Sequence, residues 1–201
     1  AVEKELKITQ ELFGLSYIII RPHNVYGERQ YLGDPYRNVI GIFINRIMQD
    51  KPPIIYGDGK QTRAFSYIGD IAPCIAKAPF IEKAKNQIIN LGSGKVHSLD
   101  QIADEILDAM NSKLKPIYSE PRYEVKHAHC TTSRSEEILG YADKTSLREG
   151  LANMVSWARK LGPTEPIIWE NYEQTKNLPP FWRKLREDFP NARKRININN
   201  F

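Results

Sequence analysis

The apolar run Tyr17-Ile18-Ile19-Ile20 passes directly into Arg21-Pro22-His23-Asn24-Val25-Tyr26-Gly27, and this junction constrains the chain more than any other stretch. A short β-branched run without alternation reads as a strand buried on both faces, in the middle of a parallel sheet. Pro22 then takes an N–H out of the ladder, and Asn24 and Gly27 bring turn chemistry. Open α/β sheets hold their ligands just beyond the carboxyl ends of such strands. Residues 21–27 are therefore expected to form the floor of a site.

The rest of the chain alternates strands and helices around that junction, which predicts an α/β fold. Val2, Leu6, Leu12 and Phe13 stand among charges, as in an amphipathic helix that Gly14 would stop. No capping residue precedes this helix, so the chain is expected to be cut from something longer. After a polar loop over 28–36, the apolar spacing predicts a helix over about 37–49, ended by Pro52-Pro53. Residues 54–56 read as a strand, Gly57-Asp58-Gly59 as a turn, and 61–67 as extended, with Asp70 capping a helix to about Ala78. Residues 87–91 are a predicted strand followed by the tight loop Gly92-Ser93-Gly94. Capping boxes are read at Ser98/Gln101, Ser133/Glu136 and Ser146/Glu149, each opening a helix. Residues 116–118 and 123–130 read as extended. Beyond Thr164 the periodicity weakens, with a docked extended segment at 178–182 and a short helix to Phe189.

Composition excludes several classes. No apolar run approaches the roughly 18 residues of a membrane helix, and Glu3, Lys4, Glu5 and Lys7 break any signal-peptide pattern. Two cysteines, Cys74 and Cys130, make no disulfide framework and point to a reducing cytoplasm. The net charge of +5 is concentrated in Arg183, Lys184, Arg186, Arg193, Lys194 and Arg195. Glu187 and Asp188 interrupt that run, so a solvated helix face is preferred over a nucleic-acid interface.

Candidate chemistry lies in polar residues at strand ends and loops: Asn24, Asn38, Arg63, Arg122 and Glu124. The guanidinium fork suits phosphate oxygens, an asparagine amide serves phosphate or sugar hydroxyls, and a carboxylate suits a vicinal diol. Together they describe a nucleotide or nucleotide-sugar site, although residue type alone favours five ordinary loop positions.

Three motifs in register alter that weighting. Arg-Pro-His-Asn-Val-Tyr-Gly at 21–27, Gly-Asp-Gly-Lys-Gln-Thr-Arg-Ala-Phe-Ser-Tyr-Ile-Gly-Asp at 57–70 and Asn-Leu-Gly-Ser-Gly at 90–94 resemble the extended short-chain dehydrogenase/reductase family. Within it they are most similar to NAD-dependent epimerases of the UDP-glucose 4-epimerase kind. The resemblance covers roughly residues 1–162. It implies the C-terminal part of an extended Rossmann-type fold, with the Gly-rich half that binds the cofactor missing. Residues 1–162 would be the last strands and helices of that domain interleaved with the nucleotide-sugar-binding domain, and 163–201 a C-terminal extension.

The resemblance also implies roles. Asn24 would contact the sugar or diphosphate, and Asn38 would hold the diphosphate at its helix start. Tyr56 falls where the family packs a side chain against the base. Arg63 and Arg122 would clamp the diphosphate, and Glu124 would bind the ribose, in a Tyr123-Glu124 pair where many members have Gly-Asp. Pro22 and His23 would lie near the nicotinamide end of NAD. The family's Tyr-x-x-x-Lys pair, whose tyrosinate is the base, normally lies just before the helix that opens this chain, so the chain is expected to lack it. The family reaction is hydride transfer from sugar C4 to NAD, rotation of the 4-keto intermediate, and return of hydride to the other face. A UDP-sugar partner, a homodimer in the intact enzyme, and no nucleic-acid or membrane partner are the matching expectations.

Two other signals are weaker. Gly92-Ser93-Gly94-Lys95 lacks the upstream glycine of a P-loop, and Val96 stands where Ser or Thr would hold magnesium. His127 and His129 share a strand face beside Cys130, but no second ligand pair has zinc spacing, so no metal is expected. Two alternatives stay open: a dehydratase, decarboxylase or reductase of the same family, and a non-catalytic nucleotide-sugar-binding or protein-interaction module.

Overall fold

The computed structural model describes residues 1–36 and 38–165, together with the backbone of 167–168 and 193–194. Helix α1 (Val2–Phe13) ends at Gly14, whose left-handed φ of 69° closes it. Strand β1 (Ile18–Pro22) leads through a turn to β2 (Val25–Tyr26), and helix α2 (Val39–Met48) follows the polar loop. Strands β3 (Ile54–Tyr56), β4 (Thr62–Ala64) and β5 (Ser66–Tyr67) precede helix α3 (Ile68–Lys77). Two short 3-10 turns, Ala78–Phe80 and Glu82–Ala84, lead to β6 (Gln87–Leu91) and β7 (Val96–Ser98). Then come α4 (Leu99–Ala109), β8 (Ile117–Ser119), β9 (His127–Ala128), α5 (Ser133–Leu139) and α6 (Leu147–Leu161). The short strands β10 (Ile167–Ile168) and β11 (Arg193–Lys194) pair in parallel. The expected segments over 178–182 and up to Phe189, and the basic residues 183–186, lie outside the described residues.

Parallel pairing dominates, as an α/β sequence requires. β1 pairs with β6, β2 with β5, and β3 with β8, all parallel. β4 is the middle of a three-stranded sheet, antiparallel to β7 and parallel to β9. The strand expected at the centre of a sheet has one partner among the described residues. Only Ile19 of β1 is buried, because the flank away from β6 meets no strand there.

Two apolar clusters hold these layers. The larger joins Ile40, Phe43 and Ile44 of α2, Ile102 and Ile106 of α4, and Leu151, Met154 and Val155 of α6 over Ile55 and Phe65. The smaller joins Ile89 and Leu91 of β6 to Ile71 of α3, Leu139 of α5 and Tyr141. Each fully buried aliphatic chain contributes about 1.5–3 kcal/mol of transfer free energy. The site described next lies along the seam that runs from the β1–β2 turn to β9.

Three expected caps differ from those observed. The Ser98 box forms in full, with Ser98 Oγ accepting from Gln101 N and Gln101 Oε1 accepting from Ser98 N. At Ser146 the hydroxyl accepts from Glu149 N, which is half of a box. The third box is absent: α5 begins one residue earlier in its cap, at Thr132, whose hydroxyl donates to Glu136 Oε1 at 2.7 Å. Asp70 does not cap α3 either. It lies inside the first turn, and its carboxylate accepts from Thr145 N and Oγ1, tying α3 to the segment before α6.

Candidate functional site

Arg21, first in the expected floor, is a structural tie. Its Nε donates to Glu3 Oε1 at 2.8 Å and its Nη2 to Oε2, which lowers the Glu3 pKa and raises that of Arg21. Pro22 closes β1 opposite Leu91 at the carboxyl ends of the β1–β6 pair, and is exposed. His23 follows, with its N–H on the Leu91 carbonyl and its own carbonyl accepting from Ser66 Oγ at 2.7 Å. Burial lowers its ring pKa, helped by the nearby charges of His129 and Arg63, so the imidazole is neutral at pH 7.

Asn24 turns the chain with a positive φ of 39°, a conformation asparagine tolerates better than most residues. Its Nδ2 donates to the Ala64 carbonyl at 2.8 Å, so the turn is stapled to the end of β4. Asn38 sits next to it through β2. Its Nδ2 donates to the Val25 carbonyl at 2.6 Å and its Oδ1 accepts from Ile40 N at 3.3 Å. The side chain thus caps α2 itself, one of the four N–H groups that a helix start leaves open.

On the other side of Ala64 lies Arg63. Its Nη1 donates to the Thr62 and Lys126 carbonyls, and its Nη2 to Glu124 Oε2 at 3.0 Å. Glu124 Oε1 in turn accepts from Gln61 Nε2 at 3.3 Å, and the same Nε2 donates to the Tyr56 carbonyl at 2.7 Å. Parallel pairing of β3 with β8 sets Tyr56 opposite Ser119, and the chain returns three residues later to lay Arg122 over the Tyr56 ring, 3.2 Å from its centroid. Burial lowers the Arg122 pKa, while Tyr56 and Glu124 oppose that shift. A guanidinium face on a phenol ring is a cation–π pair.

The residues read from the sequence therefore meet in one line. Asn38 reaches Val25, Asn24 reaches Ala64, Arg63 holds Glu124, and Gln61 links Glu124 to Tyr56, under Arg122. Along that line stand amides, a guanidinium fork able to take an anion, a carboxylate able to accept from hydroxyls, and an aromatic ring under a second guanidinium.

Residues 1–92 match the family model described as the NAD dependent epimerase/dehydratase family. A putative UDP-glucose 4-epimerase of Methanocaldococcus jannaschii is 36% identical over 159 residues, 78% of this chain and 50% of that protein. A UDP-N-acetyl-alpha-D-glucosaminuronate decarboxylase of Bacillus cytotoxicus is 30% identical over 167 residues, 80% of this chain and 51% of that one. The crystal structure of a UDP-glucose 4-epimerase from Thermotoga maritima, solved with UDP-glucose, superimposes with a TM-score of 0.72 at 30% identity, over 79% of this chain and 51% of that chain. The chain belongs to the NAD-dependent epimerase/dehydratase family. It spans about half the length of the curated relatives it matches.

Against that family the remaining signals fall into place. For NAD, exposed Pro22 and the His23 ring, whose pKa burial lowers, set no like charge against the cationic oxidised nicotinamide, whereas the sequence has no Gly-rich turn to cradle a dinucleotide's phosphates. Two Tyr-x-x-x-Lys spacings do occur in the sequence, Tyr56/Lys60 and Tyr172/Lys176. The first spans a turn with Gly57 and Gly59 at positive φ, so Lys60 is not one helical turn from Tyr56 and faces solvent. The second lies outside the described residues. Gly92-Ser93-Gly94-Lys95 is a junction: Ser93 N donates to Ser66 Oγ, Ser93 Oγ to Asp143, and Lys95 pairs with Asp143 at 3.5 Å. His127 faces Thr62 Oγ1 at 2.9 Å, and no group of three or more potential metal ligands converges among the described residues.

Gln61, absent from the residues that the sequence points to, is the link between Glu124 and the Tyr56 carbonyl. The available signal was a polar side chain directly after the 57–60 turn, in a segment read as extended and otherwise bound for the interior.

Proposed function

We propose that this chain supplies the nucleotide-sugar grip of an NAD-dependent UDP-sugar 4-epimerase of the UDP-glucose/UDP-galactose kind. The observation that carries the reading is the continuous line from Asn24 to Arg122, in which Arg63, Glu124, Gln61 and Tyr56 are joined by direct contacts. In this reading the base stacks at Tyr56, the ribose diol donates to Glu124, and the diphosphate takes Arg63 with Arg122 and Asn24 beside it. Asn38 holds the helix start of α2 against the same phosphates. Stacking on an aromatic ring contributes about 1–3 kcal/mol and each charge-assisted hydrogen bond about 1.5–3 kcal/mol, enough together for micromolar binding.

NAD, when bound, supplies the hydride acceptor and donor for the sugar carbon. This chain's part is to orient the sugar toward Pro22 and His23 at the carboxyl ends of β1 and β6 and to keep a neutral imidazole there. The two apolar clusters favour the interleaved division of residues 1–162, one packing on β6 and the other around α2, α4 and α6. Similarity to a decarboxylase as well as to 4-epimerases fits a grip that serves several nucleotide-sugar reactions. Half-buried free thiols at Cys74 and Cys130 fit a cytoplasmic setting. The exposed apolar face of α1 fits a homodimer contact.

Calorimetric titration with UDP, UDP-glucose and ADP tests the reading. UDP and UDP-glucose are expected to bind with similar affinity and ADP more weakly, and Arg63→Ala to weaken UDP by about tenfold or more. Equal binding of ADP, or a UDP affinity untouched by Arg63→Ala, contradicts it. The 201-residue chain given UDP-galactose and NAD is expected to form no UDP-glucose above background, because the described residues hold no Tyr–Lys pair along a helix face.

A further inference from the structure

Arg63 is held from two sides of different kinds. Its Nη1 donates to main-chain carbonyls, Thr62 at 2.8 Å and Lys126 at 3.1 Å, within the β4–β9 pairing. Those bonds fix the guanidinium whatever its other partner does. Its Nη2, the edge that can take an anion, donates to Glu124 Oε2 at 3.0 Å. The two side chains differ in freedom, with Arg63 17% exposed and Glu124 38%. An ion pair that open to water is weak and exchangeable.

Glu124 also has somewhere to go. Its Oε1 accepts from Gln61 Nε2 at 3.3 Å, and Gln61 is buried and anchored on the Tyr56 carbonyl at 2.7 Å. The carboxylate therefore stays tethered to Gln61 when its other oxygen leaves Arg63.

We propose that Glu124 is a resident counter-ion of Arg63 which a diphosphate displaces, and that the released carboxylate selects nucleoside diphosphates over bare pyrophosphate by accepting from the ribose hydroxyls. The proposal rests on the nucleotide-sugar reading above. Pyrophosphate must break the Arg63–Glu124 pair and leaves the carboxylate with no new donor. A nucleoside diphosphate breaks the same pair and returns two hydroxyl donors to it. The carboxylate thus acts against one ligand and for the other.

The test titrates the protein with pyrophosphate and with UDP in metal-free buffer, as wild type, Glu124→Gln, Glu124→Ala and Glu120→Gln. Each variant is first checked for an unchanged melting temperature; Glu124 is exposed enough that both replacements are expected to fold. Removing the counter-ion is expected to tighten pyrophosphate about twofold to fivefold in both Glu124 variants. The UDP affinity falls in the same variants, so that the preference for UDP over pyrophosphate shrinks roughly tenfold. Glu120→Gln removes a nearby charge from the same segment without touching Arg63, and leaves both affinities as they were. Pyrophosphate affinity that is unchanged or weaker without Glu124, or an equal gain in Glu120→Gln, overturns the proposal while UDP binding by the wild type keeps the parent reading. A folded wild type that binds neither UDP nor pyrophosphate overturns the parent reading and the proposal with it.

Discussion

Gln61 does more than its place in the sequence suggests. One nitrogen serves both the Tyr56 carbonyl and Glu124, so Gln61→Leu leaves a buried acceptor unpaired and the carboxylate untethered. The expected cost is about 1–3 kcal/mol of stability, read as a lower denaturant midpoint, with UDP binding weakened as well. Full stability in the variant contradicts the role. Two histidines set a second expectation. Burial holds the pKa of His23 and of His97 below the ordinary 6.5. Between those lowered values and 6.5 the unfolded chain binds more protons than the native one, so stability is present above the window and is lost as pH falls through it. The melting temperature should drop as pH falls through about 6.5 and below, and His23→Gln with His97→Gln should flatten the drop. Arg63, Arg122 and Tyr56 were legible because their types, in motif register, announce anion and ring chemistry. The Gln61–Glu124 link was not, since it joins residues that only the β4–β9 pairing brings together.

At the scale of elements, the turn between β3 and β4 is fixed by α4. Gly59 has a φ of 73°, and a Cβ there would run into the Asp100 carboxylate. The Gly59 carbonyl also accepts from Asp100 N at the start of α4. Gly59→Ala puts a side chain on a left-handed backbone and pushes the Asp100 carboxylate aside, and should destabilise by about 1–2 kcal/mol. Ser98→Ala removes a formed capping box and should cost about 1 kcal/mol, whereas Ser133→Ala, where no box forms, should cost less. Equal losses at the two serines would contradict the observed caps. Helix stops and β-branched strands were readable because glycine, proline and β-branching act locally. The caps at α3 and α5 were not, because Thr145, far along the chain, takes the Asp70 carboxylate, and Thr132, next to Ser133, takes that of Glu136.

At the scale of the molecule, packing is uneven. The clusters around α2, α4 and α6 and around β6 bury their aliphatic chains, while α1 buries none and exposes Val2, Ile8, Leu12 and Phe13. Phe13 is 78% exposed and Leu12 69%, on a helix tied to the rest through Glu3 and Arg21. Sedimentation is expected to show concentration-dependent association that Leu12→Glu with Phe13→Glu abolishes. A monomer at every concentration contradicts that use of the face. The alternating order of elements disclosed the α/β class, but the open flank of β1 was hidden, because a strand's sequence does not say how many neighbours it will meet. The most direct test of the whole account is a crystal structure of the protein with UDP. The account predicts uracil against Tyr56, the diphosphate on Arg63 Nη2, and Glu124 turned from Arg63 to the ribose while still bound to Gln61. UDP lodged elsewhere, or bound with the Arg63–Glu124 pair intact and no phosphate at Arg63, would contradict it.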